Sequence, residues 1–255
     1  MTYNKSSSAI ICLKPLKRVA MKRVNAYIDG YNLYHAEVKL EDNRLKWVNL
    51  RALCQHFCDE GDILDKVYYF TSFAYHIDGG GKDRHKIYIK DFLKDFGVET
   101  ILGRFTKNDG QVKEKETDIK LALQLYKDAR DDKYDKAILL SADTDFIPAI
   151  KEVEEFGKEI LLLLPPKHKL AANFDKAINN RSITKKDLEK HLLPTKTKKG
   201  KEKMPKQYLS NIQSKKQTEE FTKNLKYDSW TPFEPCKDCK DYLDYELYEK
   251  VKSKD

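Results

Sequence analysis

Five short apolar runs are spaced along the chain, and each has the length and composition of a buried β-strand. They lie at residues 24–28, 67–73, 98–102, 137–140 and 159–164. In the last run, the consecutive aliphatic residues at 160–164 leave no polar face, which is typical of a strand covered on both sides. The pattern therefore predicts a sheet that is buried on both faces.

Longer segments with apolar residues at every third or fourth position separate these runs and predict helices. They cover residues 49–58, 84–96, 116–129 and 146–156. In the third segment, the apolar stripe is expected to consist of Ile119, Ala122, Leu123, Tyr126 and Ala129. Strands that alternate with helices indicate βαβ units, so the predicted fold is α/β and Rossmann-like, with a mainly parallel central sheet flanked by helices.

The 255 residues suffice for one α/β domain with appendages, and four segments are predicted. Residues 21–193 form the domain, and residues 1–20 form an N-terminal extension that is expected to be disordered. A lysine-rich linker follows at 194–220. The C-terminal extension at 221–255 is aromatic and acidic, and it is a candidate surface for a protein partner or a homodimer.

Charge and cysteine usage indicate which partners and which cellular compartment the protein is suited to. Of the net charge of +8, residues 186–226 carry +7 and residues 21–185 carry none, so the basic excess lies where it would add non-specific affinity for a phosphate backbone. The five cysteines have no framework spacing and no apolar run approaches the roughly 18 residues of a membrane span, so a cytoplasmic protein is expected. Cys236 and Cys239 form a close pair, but zinc needs about four ligands and a reduced pair is the default.

Aspartates follow two of the predicted strands. Asp29 ends the first strand, and Asp143 and Asp145 follow the run at 137–140. Pro148 is comfortable in a first helical turn, so the next helix is expected to start near residue 144 and to leave both carboxylates in the turn. Ligands bind outside the carboxyl ends of strands in open parallel sheets, and the three acids are therefore expected to lie at one edge.

Asp118, in the opening turn of the predicted helix at 116–129, is a further candidate for this edge. Several carboxylates together form a hard-oxygen site suited to Mg²⁺ or Mn²⁺, and without a cation they would raise one another's pKa values. The plain alternative is that each aspartate is a helix N-cap, a role that contributes about 1 kcal/mol. Two aspartates within three residues, at 143 and 145, are harder to explain by capping, because one cap needs one side chain.

Three segments that carry these acids resemble, in the same order, the motifs of the NYN domain family, which is PIN-like and includes the LabA-like bacterial proteins. They read Tyr-Ile-Asp-Gly-Tyr-Asn-Leu at 27–33, Lys-Glu-Thr-Asp-Ile-Lys-Leu-Ala at 115–122 and Leu-Ser-Ala-Asp-Thr-Asp-Phe at 140–146. The resemblance covers about residues 21–185. It implies a PIN-like nuclease fold and a ribonuclease activity that depends on Mg²⁺ or Mn²⁺.

By position, the resemblance implies catalytic roles for five residues. Asp29, Asp118, Asp143 and Asp145 match the acids that bind the metal, and Asn32 matches the amide that supports Asp29. Two family glycines are replaced: the family commonly has Lys-Gly-Val-Asp where residues 115–118 read Lys-Glu-Thr-Asp, and Ser-Gly-Asp where residues 141–143 read Ser-Ala-Asp. Since every acid is present, metal binding is expected to persist, whereas the lost glycines bear on backbone geometry.

The predicted reaction is metal-assisted hydrolysis of a phosphodiester in RNA. Four residues are expected to contact the substrate: Tyr31, Arg104, Lys115 and Ser141. Tyr31 and the nearby Tyr34 would stack on unpaired bases, which favours a single-stranded substrate. Arg104 and Lys115 would contact phosphate, although a lysine at the surface is most often simply solvated.

Two other functions stay open at this stage. One is a catalytically silent RNA-binding or scaffold protein of the same fold, and the other is a phosphatase of small phosphate esters. Retention of all the motif acids favours a nuclease over the silent protein. The sequence has no glycine-rich dinucleotide or nucleoside-triphosphate loop and no serine or cysteine nucleophile motif, which argues against those enzyme classes.

Overall fold

The computed structural model describes residues 21–73, 81–108, 111–195 and 204. The predicted N-terminal extension, nearly all of the predicted linker, and the C-terminal extension with Cys236 and Cys239 lie outside the described residues. Strands in the described part are β1 Arg23–Asp29, β2 Ile63–Thr71, β3 Val98–Leu102, β4 Arg104–Asn108, β5 Gln111–Lys115, β6 Lys136–Leu140, β7 Glu159–Leu164 and β8 Asn180–Ser182. The α-helices are α1 Gly30–Val38, α2 Leu50–His56, α3 Gly81–Ile87, α4 Thr117–Arg130, α5 Ile147–Glu155 and α6 Lys185–Lys190.

Six of these strands form one sheet, in the order β3-β2-β1-β6-β7-β8, and every neighbouring pair is parallel. β4 and β5 form a separate antiparallel hairpin. The predicted α/β class with a mainly parallel sheet is therefore confirmed. Strand order reverses between β1 and β6, because the chain adds β2 and β3 on one side of β1 and then crosses to β6 on the other.

Helices cover the sheet because its strands are apolar on both faces. In β6 every residue is buried, and β1 is buried from Val24 onward. Tyr27 and Leu139 are register partners and belong to a core cluster that also contains Leu121 and Leu125 of α4 and Ile150 of α5. Side chains alternate between the faces of a strand, so their neighbours supply the other half of the core.

The predicted apolar stripe of α4 was wrong in part. Ala129 is buried as predicted and Ala122 packs against the core, but Leu121 and Leu125 are the other buried residues, whereas Ile119 is 64% and Leu123 is 49% exposed. Asp128 takes up part of the buried face, since its carboxylate accepts hydrogen bonds from Tyr27 at 2.8 Å and Lys133 at 3.0 Å. Apolar periodicity does not predict a buried carboxylate, because such a group is buried only where hydrogen-bond partners in the folded chain pair with it.

Several elements were not predicted, among them α1, the hairpin of β4 and β5, β8 and α6, and one helix differs from its prediction. α1 follows directly on β1, and the hairpin of β4 and β5 precedes α4. The segment predicted as one helix at 84–96 changes its winding instead: α3 passes into a π-helix at Tyr88–Leu93 and a 3₁₀ turn at Lys94–Phe96. Gly97 then ends this helical segment in the left-handed conformation, with a φ of 69°. No helix in the described residues combines the length and apolar character that crossing a bilayer requires.

Gly30 joins β1 to α1 at a point where there is no room for a side chain. A Cβ atom there would lie 2.6 Å from the carbonyl oxygen of Phe70 and 2.7 Å from the ring of Tyr69. The carbonyl belongs to β2, which pairs with β1, so it cannot move without disturbing the sheet. The close approach of these two strands to the start of α1 therefore requires glycine.

We predict that Gly30→Ala destabilises the protein by about 1–3 kcal/mol or more, because overpacking against backbone is relieved only by moving it. Urea-induced unfolding measures the change. Gly157→Ala is the matched control: its Cβ would meet nothing within 4 Å, so its cost is limited to the φ of 71°. A Gly30→Ala variant as stable as Gly157→Ala would contradict this account of the junction.

Candidate active site

The carboxyl ends of β1 and β6 lie side by side at the point where strand order reverses. Ile28 and Leu140 are register partners, so Asp29 and Ser141 leave the sheet together. An open parallel sheet forms its ligand crevice at such a switch point, because the connections from the two strands diverge there. The first and third predicted motifs therefore meet, although they are more than a hundred residues apart.

Asp29 is buried at this edge, and both of its carboxylate oxygens are bound. Oδ1 accepts a hydrogen bond from the backbone N–H of Asn32 at 2.9 Å, and Oδ2 accepts one from the hydroxyl of Ser141 at 2.9 Å. The first bond makes Asp29 the N-cap of α1, as the capping alternative anticipated. A carboxylate has about four lone-pair sites, so these two bonds leave acceptor capacity for a further ligand.

The pKa of Asp29 is raised to about 6, chiefly by burial and in smaller part by the charges of Asp118 and Asp143. Hydrogen bonds from Asn32 and Ser141 oppose that rise. Since a like charge acts in this way only from nearby, the first, second and third motifs share one electrostatic environment. A desolvated carboxylate with negative neighbours gains most from a cation.

Ser141 connects two of the acids. Its hydroxyl donates to Asp29, and it accepts a hydrogen bond from the backbone N–H of Asp143 at 3.1 Å. The side chain is fully buried. This geometry favours a role in positioning Asp29 and Asp143 over the direct substrate contact that the sequence suggested.

Asp143 and Asp145 lie in the turn after β6, as the position of Pro148 predicted. Asp143 Oδ1 accepts a hydrogen bond from the backbone N–H of Asp145 at 2.9 Å and thereby caps the 3₁₀ turn at Thr144–Phe146. The carboxylate of Asp143 is half-buried, and that of Asp145 is exposed. One aspartate is therefore enough for the cap, and the Asp145 carboxylate is not used in it.

Asn32 connects the first motif to the third through a hydrogen bond that was not predicted. Its side-chain oxygen accepts a hydrogen bond from the backbone N–H of Ala142 at 3.3 Å, while its own backbone N–H donates to Asp29. The side chain thus holds the turn after β6 rather than the Asp29 carboxylate itself. The spacing of Asn32 three residues after the strand end does not predict this partner.

Asp118 occupies the first turn of α4, and its carboxylate is exposed. The residue before that helix, Glu116, has a φ of 81°, in the left-handed region that glycine adopts readily. Glu116 stands where the family commonly has glycine, so the backbone turn persists without it. Ala142, at the other lost glycine, is absent from the positive-φ residues in the described part of the chain.

Arg104 and Lys115 are cross-strand partners at the base of the hairpin. The Arg104 guanidinium forms an ion pair with Glu116, whose carboxylate also pairs with Lys120 at 3.1 Å. Arg104 remains largely exposed. The side chain of Lys115 lies outside the described part of the structure, and its predicted phosphate contact stays a prediction.

Among the described residues, no three histidine, cysteine, aspartate or glutamate side chains stand close enough to hold a metal ion as they are placed. Asp118 and Asp143 therefore lie near enough to Asp29 for their charges to raise its pKa, but the acids as placed do not form a complete set of metal ligands. The donor chemistry nevertheless fits a hard divalent cation, because the buried Asp29 carboxylate has two carboxylate neighbours and spare acceptor capacity.

Together, these features define an open parallel α/β protein with acidic residues gathered at its topological switch point. The sequence profile of the NYN domain matches residues 23–184, well over half of the chain. The chain belongs to the NYN domain family, a family of PIN-like nucleases.

Comparison with curated proteins finds no match. Among solved structures, the chain is similar to a protein of unknown function from Vibrio parahaemolyticus, with 19% identity and a TM-score of 0.46. That similarity covers 68% of this chain and 96% of the Vibrio chain.

We predict that Asp29→Asn changes how stability depends on pH in metal-free buffer. A carboxyl whose pKa is raised on folding stabilises the fold below its unfolded value of 3.8, and this contribution is lost as the pH rises through about 6. Between about pH 5 and pH 7.5, the wild type should lose about 1 kcal/mol relative to the variant. Urea unfolding at several pH values measures the difference, and parallel curves would show that Asp29 titrates near its ordinary pKa.

We also predict that Glu116→Gly is more stable than Glu116→Ala by about 1 kcal/mol, because a Cβ is disfavoured at a φ of 81°. Both variants lose the same ion pairs, so the difference isolates the backbone. Lys127, exposed within α4, provides the reverse control, since alanine there should be more stable than glycine by a similar amount. If alanine were more stable than glycine at both positions, that result would argue against a left-handed conformation of Glu116.

Proposed function

We propose that this protein is a metal-dependent endoribonuclease that hydrolyses phosphodiester bonds of RNA at the carboxyl edge between β1 and β6. The observation that carries the proposal is the buried Asp29 carboxylate at the switch point, which the Asn32 backbone and the Ser141 hydroxyl hold in place close to Asp118 and Asp143. Membership of a PIN-like nuclease family supports it.

Asp29, Asp118, Asp143 and Asp145 would hold Mg²⁺ or Mn²⁺. When bound there, a divalent cation lowers the pKa of the attacking water and offsets the charge that develops on the phosphate. Asp29 is the fixed member of this set, because the Asn32 backbone and the Ser141 hydroxyl hold both of its oxygens. The other three acids close the site from the turn after β6 and from the start of α4.

The remaining polar groups orient the acids and the substrate. Ser141 acts as a positioning residue, since its buried hydroxyl binds the Asp29 carboxylate and the Asp143 backbone at once. Asn32 holds the Ala142 backbone and so fixes the turn that presents Asp143. Arg104 and Lys115, at the base of the hairpin, are proposed phosphate contacts, and Arg104 would exchange Glu116 for the phosphate.

We predict that the purified protein cleaves single-stranded RNA in the presence of Mn²⁺ and that Asp29→Asn/Asp143→Asn lowers the rate by at least about a hundredfold. The variant keeps side-chain size and the capping oxygens but removes two negative charges from the metal site. Cleavage of an end-labelled oligonucleotide, resolved by gel electrophoresis, provides the measurement. Asp131→Asn, at the end of α4 remote from the carboxyl edge, is the matched control and should cleave normally.

The outcomes separate the competing functions. Equal cleavage by the wild type and the double variant would remove these acids from the mechanism. RNA binding without cleavage by either protein would favour a catalytically silent RNA-binding protein. Release of inorganic phosphate from p-nitrophenyl phosphate, with RNA left intact, would favour a phosphatase of small esters.

A further inference from the structure

Helix α1 presents a row of exposed aromatic rings beside the acidic site. Tyr31 is 57% exposed and Tyr34 is 47% exposed, and His35 between them is exposed as well. The rings of Tyr31 and His35 are 4.2 Å apart, and those of Tyr34 and His35 are 5.6 Å apart, both in edge-to-face geometry. The rings thus form one contiguous aromatic surface rather than isolated side chains.

This surface adjoins Asp29 because α1 begins at the residue after it. Tyr31 is the second residue of the helix that Asp29 caps, and Tyr34 and His35 follow one turn later. The buried residues of α1, Leu33, Ala36 and Glu37, occupy the opposite side. The helix is therefore anchored by one face and presents the aromatic face outward.

One lysine lies at the aromatic surface, and two more lie near the end of α1. The Lys46 ammonium lies 5.3 Å from the centroid of the Tyr34 ring. Lys39 follows the last turn of α1, and its charge lowers the pKa of His35 together with burial, the larger cause. Lys167, from the loop after β7, donates a hydrogen bond to the carbonyl oxygen of Lys39 at 2.5 Å. Three lysines from separate segments thus meet at one helix.

Exposed aromatic rings with lysines on the same helix surface match the chemistry of unpaired nucleotides. Bases stack on aromatic side chains, while the phosphates between them require cations. Bases in a duplex are already stacked and paired, so rings of this kind distinguish single strands from double helices. An acidic partner would pair with the lysines but not with the rings, and a purely apolar partner would contact the rings but not the lysines.

We propose that Tyr31, Tyr34 and His35, with Lys39, Lys46 and Lys167, form a base-stacking platform that binds single-stranded RNA and leads it to the acidic site. The inference rests on the proposed nuclease function in taking RNA as the substrate. It adds that unpaired bases are what the protein recognises. Nucleotides next to the scissile phosphate lie on Tyr31, and those further along lie on Tyr34, with their phosphates beside Lys46 and Lys167.

Binding can be tested apart from cleavage. The probe is a fluorescein-labelled, uridine-rich single-stranded RNA, titrated by fluorescence anisotropy with Asp29→Asn/Asp143→Asn protein in EDTA. In that background, Tyr31→Ala and Tyr34→Ala should each weaken binding by about tenfold, whereas Tyr31→Phe and Tyr34→Phe, which keep the ring, should bind as the parent does. Lys46→Gln should weaken binding and reduce the salt dependence by about one unit of slope.

Phe156→Ala is the matched control. Phe156 is 41% exposed, but it follows α5 and lies just before the start of β7, at the sheet edge opposite the acids. Its replacement should leave affinity unchanged. Thermal melting followed by circular dichroism verifies that the tyrosine variants remain folded, which their exposure leads us to expect.

Three results would overturn the proposal. They are unchanged affinity in both alanine variants, an equal loss of affinity for single-stranded and duplex RNA, and no binding by the parent protein. A wild type that binds through α1 but does not cleave RNA would instead remove the nuclease function and leave the platform. A wild type that cleaves RNA, with normal binding by the tyrosine variants, would remove the platform and leave the nuclease.

Discussion

Parallel pairing of β1 with β6 is the constraint on which the rest of the structure depends. It makes Ile28 and Leu140 register partners, so Asp29 and Ser141 leave the sheet side by side. A shift of one residue would turn Ser141 to the other face and break its hydrogen bond to Asp29. Close packing of β6 on both faces opposes such a shift, because it would exchange side chains of different size between the two faces and would move the buried Lys136 away from Asp59 and Asp62. Core packing far from the edge thus sets distances within the acidic site.

The site opposes the stability of the fold at neutral pH. Asp29 is buried beside two other negative charges, and its hydrogen bonds from the Asn32 backbone and Ser141 offset that cost in part. At the other end of β6 a buried charge is paired instead: Lys136 binds Asp59 at 2.5 Å and Asp62 at 2.8 Å. The contrast between a paired and a repelling cluster at the two ends of one strand supports the proposal that the acidic end is the functional one.

Helix α1 links this edge to a wider surface. Asp29 caps its first turn, Gly30 allows its close approach to β2, and Asn32 connects it to the turn after β6. The same helix carries the aromatic side chains next to the acids. A single nine-residue helix therefore fixes both the geometry of the carboxylates and the position of the proposed RNA platform, and movement of one would move the other.

The sequence by itself determined the fold class and the acids, because apolar runs of strand length alternate with helical periods and aspartates stand where strands end. The tertiary structure decided features that apolar periodicity does not predict. Asp128 is buried through pairing and turns the apolar face of α4 away from Ile119, while Glu116 takes a left-handed conformation where the family commonly has glycine. The partners of Ser141 and Asn32 are likewise set by the contact of β1 with β6, between residues more than a hundred positions apart. Local pattern records which residues prefer burial or a helix, whereas hydrogen-bond partners depend on which strands pair, and only the folded chain decides that.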